Sequence, residues 1–406
     1  MRAPRLATAL TMAVGVLVGV PALATADNSG SGIPATEAPT GTGTHVLPGR
    51  LEGRAAVKAL GTNLPSVAKA NDLSTAHLTS ILNEDHTAWL SSEGRLFYQE
   101  DAPAETTTAT AAAGTAAPAY STSQTFSLHS RRSATRKIFL DFDGATVQNT
   151  AWNGTGTGDI ANGTHIGFDT DGNPTTYSSS EHGFIQEVWR QVSESYAPFD
   201  VDVTTEDPGT SGITRSSTTD TTYGTQVVIT SSRTPRAQVC GGCLGVAFVG
   251  TFDNVSSSAY YQPAWVFAYD TRFDPMVIAQ AATHETGHTL GLQHDGTATQ
   301  DYYAGTAGWG PIMGSSRTRA LSQFSIGEYA GANNHEDDFA IMQSNGLPLR
   351  PDDHGSSVMA ADMLGPQTSY DVSGVIGTRL DSDVFAIRLP CVSTLEVSAT
   401  GIGAQS

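Results

Sequence analysis

His284-Glu285-Thr286-Gly287-His288-Thr289-Leu290-Gly291-Leu292-Gln293-His294-Asp295 is the stretch from which the rest of the chain can be read. His284 and His288 are four residues apart, so on a helix both imidazoles leave one face. Two neutral imidazoles so placed suit a tetrahedral zinc ion. Glu285 adjoins the first of them and can reach a metal-bound water as a general base. Gly291 can adopt the left-handed conformation that stops a helix and turns the chain. His294 then comes back as a third ligand. Three protein ligands leave a fourth position open, the arrangement of a catalytic zinc site rather than a structural one.

Working outward, Asp274-Pro275 is a favoured helix start, so the helix is expected to begin at Pro275. Short apolar stretches precede it: Lys137–Phe142, Phe199–Val203, Gln226–Thr230, Gly245–Gly250 and Ala264–Tyr269. Each has strand character. Between the first two, Phe184, Ile185, Val188, Trp189, Val192 and Tyr196 recur at three- and four-residue spacing after Ser178-Ser179-Ser180-Glu181. That pattern predicts an amphipathic helix closed by Pro198. Strands and helices in this order predict a mixed α/β layer fold. His335-Glu336-Asp337-Asp338 marks the start of a further helix, with its acids suited to the N-terminus.

The twelve-residue stretch resembles the signature of the metzincin zinc metallopeptidases. Pro311-Ile312-Met313-Gly314 is similar to the family's Met-turn, which makes Met313 the candidate for the apolar floor under the imidazoles. Asp295 directly after the third histidine resembles the adamalysin, or reprolysin-like, branch, where such an aspartate makes structural contacts. The likeness covers residues 130–348 and is similar, more weakly, to secreted actinobacterial members. It implies a zincin catalytic domain, a twisted mixed sheet plus an active-site helix. It also implies an endopeptidase that hydrolyses peptide bonds by Glu285-assisted attack of zinc-bound water. Gly245, Val246 and Ala247 occupy the place of the family's edge strand, where an extended peptide substrate would add to the sheet. Ser315-Ser316-Arg317 after the Met-turn offers no tyrosine ligand, and Tyr302 and Tyr303 are left without a role.

The first 26 residues read as a signal peptide: Arg2 and Arg5, an apolar run from Leu6 to Val20, then small-x-small sites at Ala22–Ala26. The run is short for a membrane span. The expected product is secreted, extracellular and free of the membrane. Residues 27–125 are expected to be a pro-segment and linker, the mark of a zymogen. Within them 27–50 are rich in Gly, Thr, Pro and Ser. Residues 51–100 carry a helix with Leu78, Ile81 and Leu82 on one face and a hairpin through Trp89-Leu90 and Leu96-Phe97-Tyr98. Residues 101–125 form an Ala/Thr-rich linker. Arg131-Arg132 and Arg136 offer processing sites. Family pro-segments often block the zinc with a cysteine or an acid. Residues 27–125 contain no cysteine, and Asp85 and Asp101 are the acids to consider.

The three cysteines are Cys240, Cys243 and Cys391. Outside the cell, Cys240-Gly-Gly-Cys243 suits a structural disulfide better than redox or zinc chemistry. Cys391 is left over, which suggests a fragment of a longer chain. Asp169, Asp171 and Asn173 pack oxygen donors that could take calcium, although the pattern is not an EF-hand loop. Residues 349–406 read as a linker and the start of a β-sandwich module, with strands at Val372–Gly377 and Asp383–Leu389. A net charge of −19 argues against nucleic acid and against anionic membranes as partners. The partner that remains is a protein or peptide substrate, met by a monomer. Two other functions compete. One is a non-catalytic secreted adhesin or binding protein on a zincin scaffold. The other is a zinc hydrolase acting on non-peptide amides.

Overall fold

Seven of the apolar stretches pair, with the two residues Leu51–Glu52, into one twisted sheet. In the computed structural model its strands are β1 (Leu51–Glu52), β2 (Ala88–Leu90), β3 (Leu96–Glu100), β4 (Arg136–Asp141), β5 (Val201–Thr204), β6 (Tyr223–Thr230), β7 (Gly245–Phe248) and β8 (Ala264–Phe267). The order across the sheet is β1-β2-β3-β7-β8-β6-β4-β5. The block β8-β6-β4-β5 is parallel, whereas β7 runs antiparallel to β8 and to β3. The described residues are 45–102, 118–154, 158–255, 257–270, 274–316, 319–389, 391 and 394–399. The expected signal peptide at 1–26 and most of the linker, 103–117, lie outside them. None of the described helices is long and apolar enough to cross a membrane.

The two long helices pack against the sheet and each other. Setting aside the short helices Gly209–Ile213 and Arg233–Val239, α1 (Gly53–Leu60), α2 (Leu64–Ala70) and α3 (Thr75–Glu84) precede α4 (Ser179–Ser195) and α5 (Pro275–Thr289), and α6 (Asp338–Ser344) follows. A capping box starts α4: Ser178 Oγ accepts from Glu181 N while the Glu181 carboxylate accepts from Ser178 N at 2.8 Å. At its other end the Tyr196 hydroxyl donates to the carbonyl of Thr283 on α5 at 2.9 Å. Asp274 caps α5 by accepting from Met276 N at 2.9 Å, with Pro275 as the first helical residue.

The N-terminal segment, expected to be a pro-segment, packs onto the catalytic fold: residues 45–102 share its sheet and its compact unit. Strand β3 lies along β7 in the register Phe97–Phe248, Tyr98–Ala247, Gln99–Val246 and Glu100–Gly245. Successive side chains of β3 therefore bury on opposite faces. Tyr98 and Leu96 join a core with Leu60, Leu78, Leu82 and Val249, while Phe97 joins Trp152, Val246, Phe248 and Trp265. Arg95 is buried and spans the junction: its guanidinium donates to the carbonyls of Val249, Gly250 and Ala70. Helices α1 and α2 have no counterpart in the sequence-based reading, which found only α3. Both are short and take their stability from packing on α3 and the hairpin.

Residues 349–400 cluster as a second unit. Of the expected start of a β-sandwich, its described residues show one short ladder, with Phe385–Ile387 inside the stretch expected as a strand at Asp383–Leu389. Two three-residue strands, Asp362–Leu364 and Phe385–Ile387, run parallel. The strand expected at Val372–Gly377 has no ladder partner. Its Val372 and Ile376 are 46% and 58% exposed, so the stretch buries neither side chain among the described residues.

Candidate metal centre

Helix α5 delivers His284, Glu285 and His288, and its end is built to deliver the third histidine. Gly291 has φ +96°, Gly291 N–H donates to His288 O at 2.9 Å, and Leu292 N–H donates to Gly287 O at 3.0 Å. This pair of bonds is a Schellman motif, and it turns the chain back across the helix face. His294 is then fixed by its neighbours. Asp295 N–H donates to Met313 O at 2.9 Å, and Asn334 Nδ2 donates to His294 O at 3.3 Å.

The three imidazoles converge. His284, His288 and His294 are all buried, and one nitrogen from each lies within 4.8 Å of the others. Each Nδ1 faces an oxygen acceptor: Ile312 O at 2.8 Å for His284, Leu292 O at 2.9 Å for His288, and Asp85 Oδ2 at 2.7 Å for His294. An imidazole that donates from Nδ1 keeps its Nε2 lone pair for a metal. His288 Nε2 and His294 Nε2 stand 3.1 Å apart. Two ligand nitrogens on a tetrahedral zinc with ~2.05 Å bonds would stand about 3.3 Å apart. Burial pushes the His288 imidazole well below its ordinary pKa, and His284 and His294 push it the same way. The donor set is thus convergent and buried, with each Nδ1 engaged by an oxygen, which fits a divalent zinc ion. Such an ion would be held by His284, His288 and His294.

Glu285 is fully buried beside this cluster. Its carboxylate lies against the backbone of β7, so close that a Cβ at Gly245 would stand 2.2 Å from Glu285 Oε1. Met313 lies beneath the helix: it is fully buried, and a Cβ at Gly287 would meet its Sδ at 2.6 Å. Asp295 accepts from the Tyr329 hydroxyl at 3.4 Å. Burial raises its carboxyl to about 7, with Glu336 and Glu328 adding to the rise.

Four features of this surrounding were missed or left without a role by sequence reasoning. Tyr98 stacks on His288 with ring centroids 4.5 Å apart, and its centroid is 4.1 Å from that of His294. The Tyr302 ring lies 4.3 Å from His294. Glu100 is buried, with Oε1 3.8 Å from His284 Nδ1. Asp85, one of the two acids considered for the N-terminal segment, is the acceptor of His294, whereas Asp101 faces His86 at 3.0 Å. No local pattern marks Asp85, Tyr98 and Glu100, because their segment reaches the site through the pairing of β3 with β7, whereas Tyr302 comes in on the loop after His294.

Four site expectations need correction or placement. Gly245, Val246 and Ala247 are not an open edge in the intact chain. They are fully buried between β8 and β3, because the N-terminal hairpin has already added the strand that a peptide would add. Calcium at Asp169, Asp171 and Asn173 finds no support. Asp169 Oδ1 accepts the backbone N–H groups of Asp171, Gly172 and Asn173, so the loop closes on itself. Asp169 and Asp171 bring carboxylate oxygens within 4.8 Å of one from Glu181, but the Glu181 oxygens accept from Thr170 and Ser178. Arg136 opens the internal strand β4, bonded on both sides, so cleavage there would cut the sheet. Cys240 and Cys243 are joined in a disulfide with Cα atoms 5.7 Å apart, on the side of the sheet where Cys243 packs with Val239 and Trp265.

Residues 170–325 match the family model Reprolysin_5, metallo-peptidase family M12. The matched span contains α4, β5 to β8, α5, all three histidines, Glu285 and Met313. Together with the histidine triad it supports a metzincin-like zinc metallopeptidase acting on protein or peptide. No curated protein and no solved structure matches the chain.

Proposed function

We propose that this protein is a secreted zinc endopeptidase of the metzincin type, made as a zymogen. The observation that carries it is the convergence of three Nδ1-anchored histidines beside the buried Glu285. Bound zinc would supply Lewis acidity, polarising a carbonyl and making water a stronger acid. The chain's own groups do the rest. His284, His288 and His294 hold the ion through neutral Nε2 atoms. Glu285 takes the proton of the attacking water and returns it to the leaving amine. Its fixed position against Gly245 places that carboxylate beside the strand to which an extended peptide would bind.

Latency follows from what covers the site. Strand β3 occupies the free side of β7, and Tyr98 lies over His288 and His294. A peptide can use β7 only after residues 45–102 have left, so processing opens both the strand and the metal face. The signal-like first 26 residues support export.

The test is casein hydrolysis by the processed protein beside Glu285→Ala, with bound zinc measured in both. The expected result is about one zinc in each and hydrolysis by the wild type alone, since a positioned base contributes about 10²- to 10⁴-fold. Zinc in both proteins with no cleavage by either, after removal of the N-terminal segment, would sink the endopeptidase proposal.

A further inference from the structure

The three histidines are not supported alike. His284 and His288 donate to the carbonyls of Ile312 and Leu292, both within the matched catalytic span. His294 instead reaches a carboxylate 209 residues away, Asp85, in the turn between α3 and β2. The turn is made for the task. Asp85 N–H donates to Ile81 O at 2.9 Å and ends α3. Asp85 Oδ1 accepts from the backbone N–H of Thr87 at 2.9 Å and from its hydroxyl. Oδ2 is thereby aimed at His294 Nδ1, and Thr87 Oγ1 stands 3.4 Å from the same nitrogen. His294 needs this more than the other two, since it sits on a returning loop while they sit on a capped helix.

We infer that Asp85 is the positioning residue of the third metal ligand, so that the N-terminal segment which covers the site also completes it. This rests on the zinc site proposed above. A carboxylate on Nδ1–H fixes the tautomer and the ring plane and makes Nε2 a better donor. Glu100 and Tyr98 belong to the same segment, but Glu100 faces His284 and Tyr98 offers its ring to His294, whereas the Asp85 carboxylate stands 2.7 Å from His294 Nδ1. The unprocessed chain is therefore the form in which His294 is best prepared for the ion. Release of residues 45–102 takes its carboxylate away.

The experiment measures zinc affinity of the unprocessed chain by competition with a chelating dye, for wild type, Asp85→Ala, Asp85→Asn and the exposed-site control Asp101→Asn. Thermal midpoints of the metal-free proteins are recorded alongside. Loss of a partner that orients a metal ligand weakens affinity about 10- to 100-fold. Asp85→Ala is expected in that range. Asp85→Asn keeps an acceptor oxygen without the charge and is expected between Asp85→Ala and wild type. Asp101→Asn is expected to bind as wild type does. The graded order, at matched thermal midpoints, is what a merely structural role would not produce. Affinities of both Asp85 variants within threefold of wild type overturn the inference. If Asp85→Ala does not fold, Asp85→Asn decides alone, and wild-type affinity there overturns it. Failure of the wild type itself to bind zinc overturns the metallopeptidase proposal and this inference with it, whereas tight binding that ignores Asp85 overturns only the inference.

Discussion

Gly245 and Glu285 exclude each other's growth: a methyl group on Gly245 would stand 2.2 Å from Glu285 Oε1 and 2.6 Å from its Cδ. The strand and the proposed base are packed as one unit, so the position of the carboxylate is set by the strand.

Gly245→Ala should therefore act on turnover rather than on metal. The added carbon forces Glu285 off its place, while His284, His288 and His294 keep their anchors. Misplacement of a catalytic group by about 1 Å can cost on the order of 10²-fold. The expected outcome is a fall of about that size in kcat of the processed enzyme, with zinc content unchanged. Retained kcat in that variant would show that Glu285 need not sit where it does.

Arg95 should control how firmly the N-terminal segment stays down. It donates to three carbonyls on both sides of the junction, Val249 and Gly250 beyond β7 and Ala70 at the end of α2. Arg95→Met keeps the stem and removes every donor. Buried acceptors left without partners cost about 1–3 kcal/mol each, less whatever water recovers. A lower urea midpoint and faster proteolytic release of residues 45–102 are expected. An unchanged release rate would refute the role.

Gly287 and Met313 should be energetically coupled. Met313→Ala empties a buried site and is expected to cost about 2–5 kcal/mol. Gly287→Ala drives a carbon to 2.6 Å from Met313 Sδ and 3.3 Å from Leu292 Cδ1, an overpacking of about 1–3 kcal/mol. In the double variant the methyl has room, so its cost should fall well short of the sum of the two. Denaturation midpoints of the four proteins check this, and simple additivity would contradict the contact.

Asp141 should make stability depend on pH. It ends β4, and its carboxylate accepts from Gln226 Nε2 at 2.6 Å and Gly144 N–H at 3.1 Å. Burial raises its pKa to about 7; the Gln226 bond pulls it down and Asp143 pushes it up. In the unfolded chain the same group ionises near pH ~3.9. Between those two values the folded state holds the proton and the unfolded state does not. Stability is therefore lost as pH rises from about 4 to about 7, and this contribution is flat above that. Asp295 is raised to the same range, so Asp141→Asn should reduce the slope rather than abolish it, as thermal midpoints from pH 4 to 8 will show. A slope that persists unchanged in Asp141→Asn belongs to another group.

The histidine triad proposed to hold the metal was legible because its geometry is local. Four residues of helix bring His284 and His288 together whatever the rest of the chain does, and Gly291 sets the return of His294 within one turn. The cap at Asp274-Pro275, the amphipathic face of α4 and the alternation of β4 and β5 are likewise set by neighbours in sequence. Tertiary structure alone decided what lies against those elements. Gly245–Ala247 read as a strand, but nothing in its residues names its second neighbour, because backbone N–H and C=O groups pair with any strand in reach. The pairing of β3 with β7, the stacking of Tyr98 on His288 and the reach of Asp85 to His294 join residues about 150 to 210 apart. Such contacts follow from how whole faces bury together, here Leu96 and Tyr98 on one side of the sheet and Phe97 on the other. The sequence by itself determined the chemistry the site can hold. The fold decided that, in the intact chain, a segment of the same protein both closes that site and supports its third histidine.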